Sequence, residues 1–176
     1  PMHVYREYIQ NSTDSIDKAV SEGLISESEA AIHIQIDSSA QRIIIHDNGC
    51  GITAEKARGI LLSIGDSEKN GVDERGVRGI GRLAGLAYAN EVQFVTSAYG
   101  EPVKTIMTCD CVKMQLLLQK TNTETSDVME TFKAISKFAD SQPEDKDAHY
   151  FEVRMMGVPV DSGLLEENDV WSYLSE

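Results

Sequence analysis

Positive charge is what this chain has least of. Sixteen Lys and Arg stand against 29 Asp and Glu, a formal net charge of -13 over 176 residues. A surface so acidic repels nucleic acid and anionic membrane, which argues against general binding of either. A phosphorylated ligand would have to be held by local means: backbone N–H groups, helix N-termini, a few Lys or Arg, and a metal. Cysteine is also scarce, and odd in number: Cys50, Cys109 and Cys111. Cys109-Asp110-Cys111 has no second cluster with which to build a structural zinc site, and three thiols make no disulfide framework. Buried, reduced thiols are the better reading, and they fit a cytoplasmic protein. No apolar run approaches membrane-spanning length, and no signal peptide, internal repeat or low-complexity tract is visible.

What remains is ordinary globular material, 41% hydrophobic and 26% charged, enough for a sizeable core. The length predicts one domain. Pro1 precedes Met2, and Tyr173-Leu174-Ser175-Glu176 lies in a pattern that could continue as a helix. The expectation is a domain excised from a longer multidomain protein.

Val4, Tyr8, Ile9, Ile16 and Val20 predict a helix over 3–21. Residues 26–31 read as a short helical or loop connection. Ile32, Ile34 and Ile36 alternate with polar residues and predict a half-buried strand, turned by 38–41 into a second strand over 42–46. Thr53 is placed to cap a helix running to about Ser63. A glycine-dense stretch from Gly65 to Gly85 follows, leading into a helix-like segment over 82–89. Strands are expected over 91–98, 103–108 and 112–118. Residues 126–140 read as a helical turn and then a strand, and a polar loop over 142–147 leads to a last strand over 150–156. This order predicts an α/β (α+β) two-layer sandwich, with helices on one face of a mostly antiparallel mixed sheet.

Four stretches carry chemistry. Asp47-Asn48-Gly49-Cys50-Gly51 ends a strand and opens a helix. A carboxylate there can accept a hydrogen bond from an exocyclic amine, and the glycines let backbone approach a ring ligand. The same residues also make an ordinary strand-to-helix turn. Glu7, Asn11 and Asp14 share one helix face, where a Glu can orient a water and an Asn amide oxygen can ligate a metal; a solvated face has the same pattern. Ser63 to Lys69 forms a loop carrying one cation, equally compatible with plain surface. Gly76-Val77-Arg78-Gly79-Ile80-Gly81-Arg82-Leu83 places glycines just before a helix, where backbone N–H groups can meet phosphate. It lacks the preceding strand of a Rossmann fingerprint and the Gly-Lys-Ser/Thr of a Walker loop.

Taken in order, these stretches resemble the GHKL superfamily, the Bergerat-fold ATPases that include gyrase, heat-shock-protein-90 chaperones, histidine kinases and MutL. Residues 7–18 resemble the N-box in its chaperone form, with Glu7, Asn11, Asp14 and Lys18 at matching spacing. Residues 47–51 are similar to the first glycine box, 76–83 to the second, and 64–69 to the lid of chaperone and MutL members. The resemblance implies ATP and Mg²⁺ as cofactors. It implies Glu7 as the general base or water-positioning residue and Asn11 as the metal ligand. Asp47 would meet the adenine amine, with Gly51 and Ile52 lining that pocket, and the backbone of Gly79, Ile80, Gly81, Arg82 and Leu83 would cradle phosphate. Asp14, Ser15 and Lys18 complete the nucleotide side, and Lys69 and Arg78 are candidate lid cations. The family's last strand usually begins Gly-Thr, and Ala148-His149 stands there instead. His149, Thr96 or Thr105 could partner Asp47 in its place.

The resemblance implies an ATPase that hydrolyses ATP to drive a chaperone-like clamp, slow or inactive as an isolated domain, with further domains of the same chain and a homodimer partner. Glu7 favours water over a protein histidine as phosphate acceptor. The alternatives are a nucleotide-gated interaction module without meaningful hydrolysis, and a MutL- or topoisomerase-like DNA-maintenance ATPase whose DNA contacts lie in other domains.

Overall fold

The computed structural model describes residues 1–63, 81–120 and 128–175. Helix α1 runs from His3 to Ser21, and strands β1 (Ile32–Asp37) and β2 (Arg42–Asp47) form the hairpin read from the alternating isoleucines. Helix α2 (Ala54–Leu62) starts after Thr53, which takes the cap position but makes no side-chain cap bond. A 3₁₀ turn spans Gly81–Ala87, followed by β3 (Glu91–Ser97) and β4 (Val103–Asp110). Helices α3 (Cys111–Lys120) and α4 (Val128–Ile135) precede the short strands β5 (Ser136–Phe138) and β6 (Gln142–Pro143), then β7 (Tyr150–Met156) and α5 (Glu167–Leu174).

One expectation fails. The strand predicted over 112–118 is helix α3. The alternation of Val112, Met114, Leu116 and Leu118 has period two, but Met, Gln, Leu and Lys are strong helix formers. Asp110 decides the matter: its Oδ1 accepts the Lys113 N–H at 2.8 Å, the geometry of an N-cap. Leu116 and Leu118 are left exposed, where a core strand would have buried one row.

The sheet order is β1-β2-β7-β3-β4-β5, with β6 on β4, and every pairing among the described strands is antiparallel. Burial alternates strictly along β2, so Ile43, Ile45 and Asp47 face the helices while Arg42, Ile44 and His46 face away. Phe94, Met107, Val153 and Met155 extend the buried layer across the sheet. The opposite face carries His33, Gln35, Arg42, Gln93, Glu152 and Arg154 around a shallow open concavity. The molecule is thus two layers, as the element order implied.

Helix α1 supplies the other half of the core. Val4, Tyr5, Tyr8, Ile16 and Ala19 are buried at helical spacing; burial of the larger of these side chains stabilises by roughly 1.5–3 kcal/mol each. The Tyr5 hydroxyl donates to the Leu164 carbonyl at 2.7 Å, fastening α1 to the C-terminal segment. Packing on β2 and on the 81–87 turn brings α1 beside both glycine stretches. Among the described residues no helix is long and apolar enough to cross a membrane.

Candidate functional site

The period of two along β2 delivers Asp47 into the helix-facing layer at the strand's end, where it is only 1% exposed. Its Oδ1 accepts the Gly49 N–H at 2.9 Å. Burial raises its pKa above the ordinary carboxylate range, and hydrogen bonds from the Ser12 side chain and from the Gly49 and Phe151 backbone oppose that shift without cancelling it. Ser12 lies on α1, one residue beyond Asn11, so the helix and the turn share this carboxylate.

The turn after Asp47 is fastened at almost every residue. Asn48 accepts from the Ala31 N–H at 2.9 Å and donates to the Glu29 carbonyl at 2.7 Å. His149 Nδ1 meets the Gly49 carbonyl at 2.8 Å. The Cys50 N–H donates to the Ser15 carbonyl at 3.3 Å. The Ile52 N–H donates to Thr96 Oγ1, whose hydroxyl donates on to the Tyr150 carbonyl, both at 2.9 Å. Two glycines are required by contact. A Cβ on Gly51, whose φ is +62°, would lie 1.9 Å from the Ser97 carbonyl oxygen, and one on Gly49 would lie 2.2 Å from Ser15 Oγ.

The second glycine stretch meets the same helix. A Cβ on Gly81 would fall 2.2 Å from Glu7 Oε2. The exposed Glu7 carboxylate therefore lies directly on the start of the 81–87 turn, with half-buried Asn11 one helical turn further along α1. Tyr8, beside Glu7, is buried, and its hydroxyl donates to the Arg82 carbonyl and accepts the Gly85 N–H, each at 3.0 Å. The Arg82 side chain is turned inward: it is 8% exposed, and its guanidinium donates to the Ser63 carbonyl at the end of α2. Burial lowers the Arg82 pKa to about 10, so it stays cationic at neutral pH.

Of the residues singled out from sequence, Glu7, Asn11, Ser15, Asp47, Gly51, Ile52, Gly81 and Arg82 are thus brought to one region by α1, the end of β2 and the 81–87 turn. Half-buried Leu83 lies on the same turn. Asp14 is occupied by Gln10 Nε2 at 3.0 Å, and Lys18 is exposed in the last turn of α1. Lys69, Arg78, Gly79 and Ile80, with the 64–69 segment, lie outside the described residues. Arg82 offers the region its backbone rather than its side chain. Thr105 pairs with Thr96 across β3 and β4 and so lies one strand further from the Asp47 turn.

Comparison with known proteins adds to this geometry. Residues 2–141 match the family described as "Histidine kinase-, DNA gyrase B-, and HSP90-like ATPase". The chain belongs to that family. Its fold is the α/β ATPase fold that the sequence resemblance implied, and membership brings ATP binding and ATPase-type function at the level of the family. The chain is also similar to the chaperone protein HtpG of Treponema pallidum (strain Nichols), 29% identical over 54% of this chain. The matched stretch spans only 18% of that protein's length.

Sequence reasoning passed over Ser12 and Tyr8 and left Thr96 as one of three choices. Ser12 had a signal: it stands one turn after Tyr8 on the buried face. Tyr8 was read as a core residue, which it is, but a buried tyrosine hydroxyl needs a partner, and in this fold that partner is the 81–87 turn.

Proposed function

We propose that the chain binds ATP or ADP with Mg²⁺ between α1 and the two glycine turns, and that in its full-length protein it hydrolyses ATP to drive a chaperone-like conformational cycle. The observation that carries this reading is the convergence on α1. One helix carries Ser12 against a buried carboxylate and, more than one turn earlier, holds Glu7 against Gly81.

In this reading Asp47 accepts the exocyclic amine of adenine. Its raised pKa supports that role, because a buried carboxylate with room for another donor gains most from a ligand that supplies one. Gly51 and Ile52 line the ring, held there by Thr96; Ser15 and His149 fix the backbone between. The 81–83 backbone meets the phosphates, with Gly79, Ile80, Arg78 and Lys69 expected to extend that contact. Glu7 orients or deprotonates the attacking water. Among the described residues no three His, Cys, Asp or Glu side chains converge on a metal position. That suits Mg²⁺, which is commonly held by one or two protein groups together with phosphates and water; Asn11 would supply the amide oxygen. The ion would neutralise charge on the phosphates.

Partner domains of the same chain, a homodimer partner, and a cytoplasmic setting belong to the same proposal; the three free cysteines, two of them buried, support the last. Calorimetric titration with ADP and Mg²⁺ tests the binding, and no heat at millimolar nucleotide refutes it. Turnover in the full-length protein tests the chemistry: Glu7→Ala should abolish hydrolysis and keep binding. Unchanged turnover leaves only the reading as a nucleotide-gated interaction module.

A further inference from the structure

The Tyr8 hydroxyl occupies an unusual position. In a 3₁₀ turn the carbonyl of residue i and the N–H of residue i+3 bond each other. Arg82 and Gly85 are such a pair, and the Tyr8 hydroxyl bridges them, donating to the first and accepting from the second at 3.0 Å each. Gly85 has to be glycine for this, since a Cβ there would lie 2.4 Å from the hydroxyl oxygen. Burial pushes the Tyr8 pKa well above its usual value, so the proton it donates stays in place at any physiological pH. The start of the same turn is tied a second time, through the Arg82 side chain. Arg82, nine-tenths buried, sends its guanidinium to the Ser63 carbonyl, while its Nε has no hydrogen-bond partner among the described residues. Burying a cation for so few bonds is a poor way to gain stability, because its desolvation outweighs a single carbonyl contact. In a chain of net charge -13 it does place one positive charge under the turn.

From this geometry we infer that Tyr8 and Arg82 are positioning residues for the nucleotide's phosphates: Tyr8 sets the 81–85 turn in register with Glu7 on the adjoining residue of α1, and Arg82 anchors that turn to the end of α2 and lends it charge. The inference rests on the nucleotide reading of this region. It assigns the phosphate end to these two side chains and leaves the adenine end, at Asp47, independent of them. Neither side chain touches the ligand in this account; Arg82 meets it through its backbone alone.

The test compares ADP with adenosine on the same chain, by calorimetry. Wild type should bind ADP more tightly than adenosine. Tyr8→Phe keeps the ring and removes the bridge, and should cut the ADP-to-adenosine affinity ratio roughly fivefold or more, the scale of one lost buried hydrogen bond. Adenosine affinity should stay within about twofold. Arg82→Met should lower the ratio further, and Arg82→Lys, which restores the charge, should recover part of it. If Arg82→Met does not fold, Tyr8→Phe decides alone. An unchanged ratio in Tyr8→Phe, or an equal loss for adenosine and ADP, overturns the inference. Failure of wild type to bind either ligand refutes instead the nucleotide reading beneath it.

Discussion

Replacing Asp47 by Asn separates binding from folding with effects of opposite sign. In the free protein the Asp47 carboxyl has its pKa raised by burial, against hydrogen bonds from Ser12, Gly49 and Phe151. A group whose folded pKa lies above its unfolded value contributes stability at low pH, and that contribution is lost as pH rises through the folded value. At neutral pH the ionised Asp47 therefore weighs against folding. Asn is neutral and the same shape, and its one oxygen can still accept the Gly49 N–H, so the ligand-free variant should melt within a few degrees of wild type or higher. Nucleotide binding should move the other way. A hydrogen bond to a charged acceptor is worth about 1.5–3 kcal/mol, which corresponds to roughly 10- to 150-fold in Kd. Calorimetry with ADP and Mg²⁺ reads the affinity, and thermal denaturation without ligand reads the stability. Affinity within about threefold of wild type would refute the placement of adenine at Asp47. Destabilisation of the free protein by more than about 3 kcal/mol would show that the charge serves the fold.

Gly51→Ala and Gly59→Ala should differ in sign. At Gly51 the φ of +62° and the backbone oxygens of Ser97 and Tyr150, 1.9 and 2.9 Å from the added Cβ, leave no room; a loss of about 2–4 kcal/mol is expected by chemical denaturation. Gly59, inside α2 with none of the described residues within 4 Å of an added Cβ, should gain about 0.5–1 kcal/mol. On the open sheet face, burial raises the Glu152 pKa, but hydrogen bonds from His46 (2.8 Å) and Arg154 (2.5 Å) with their charges outweigh it and hold the carboxyl below its ordinary value. Its contribution is present above the unfolded Glu pKa and disappears as pH falls through the depressed one. Glu152→Gln should thus lose less stability than wild type between pH 6 and pH 3 in urea titrations; equal losses would contradict the assignment.

Much of this fold was legible in the sequence because its signals were periodic. The spacing of Val4, Tyr8 and Ile16 marked α1, and the alternating isoleucines with the 38–41 turn marked the first hairpin, whose register the structure supplies. The 112–118 segment was not legible by period, since four apolar residues two apart fit a strand while their helix propensity and the Asp110 cap fit what forms. At the site, the residues that bear charge or lack side chains were visible as motifs. The supporting bonds were not: Thr96 and His149 reach the 47–52 turn only because β3 and β7 pair beside β2, a tertiary fact with no local trace. The absence of the usual Thr before β7 has a structural counterpart here, as His149 holds the Gly49 carbonyl and Thr96 holds the Ile52 N–H.

The most direct measurement of the central claim is a crystal structure of the chain grown with ADP and Mg²⁺. The account predicts the adenine amine within hydrogen-bond reach of Asp47, the ring against Gly51 and Ile52, and the phosphates between Asn11 and the 81–83 backbone. Nucleotide bound elsewhere, for instance on the open face around Arg42 and Arg154, with the Asp47 turn empty, would contradict it.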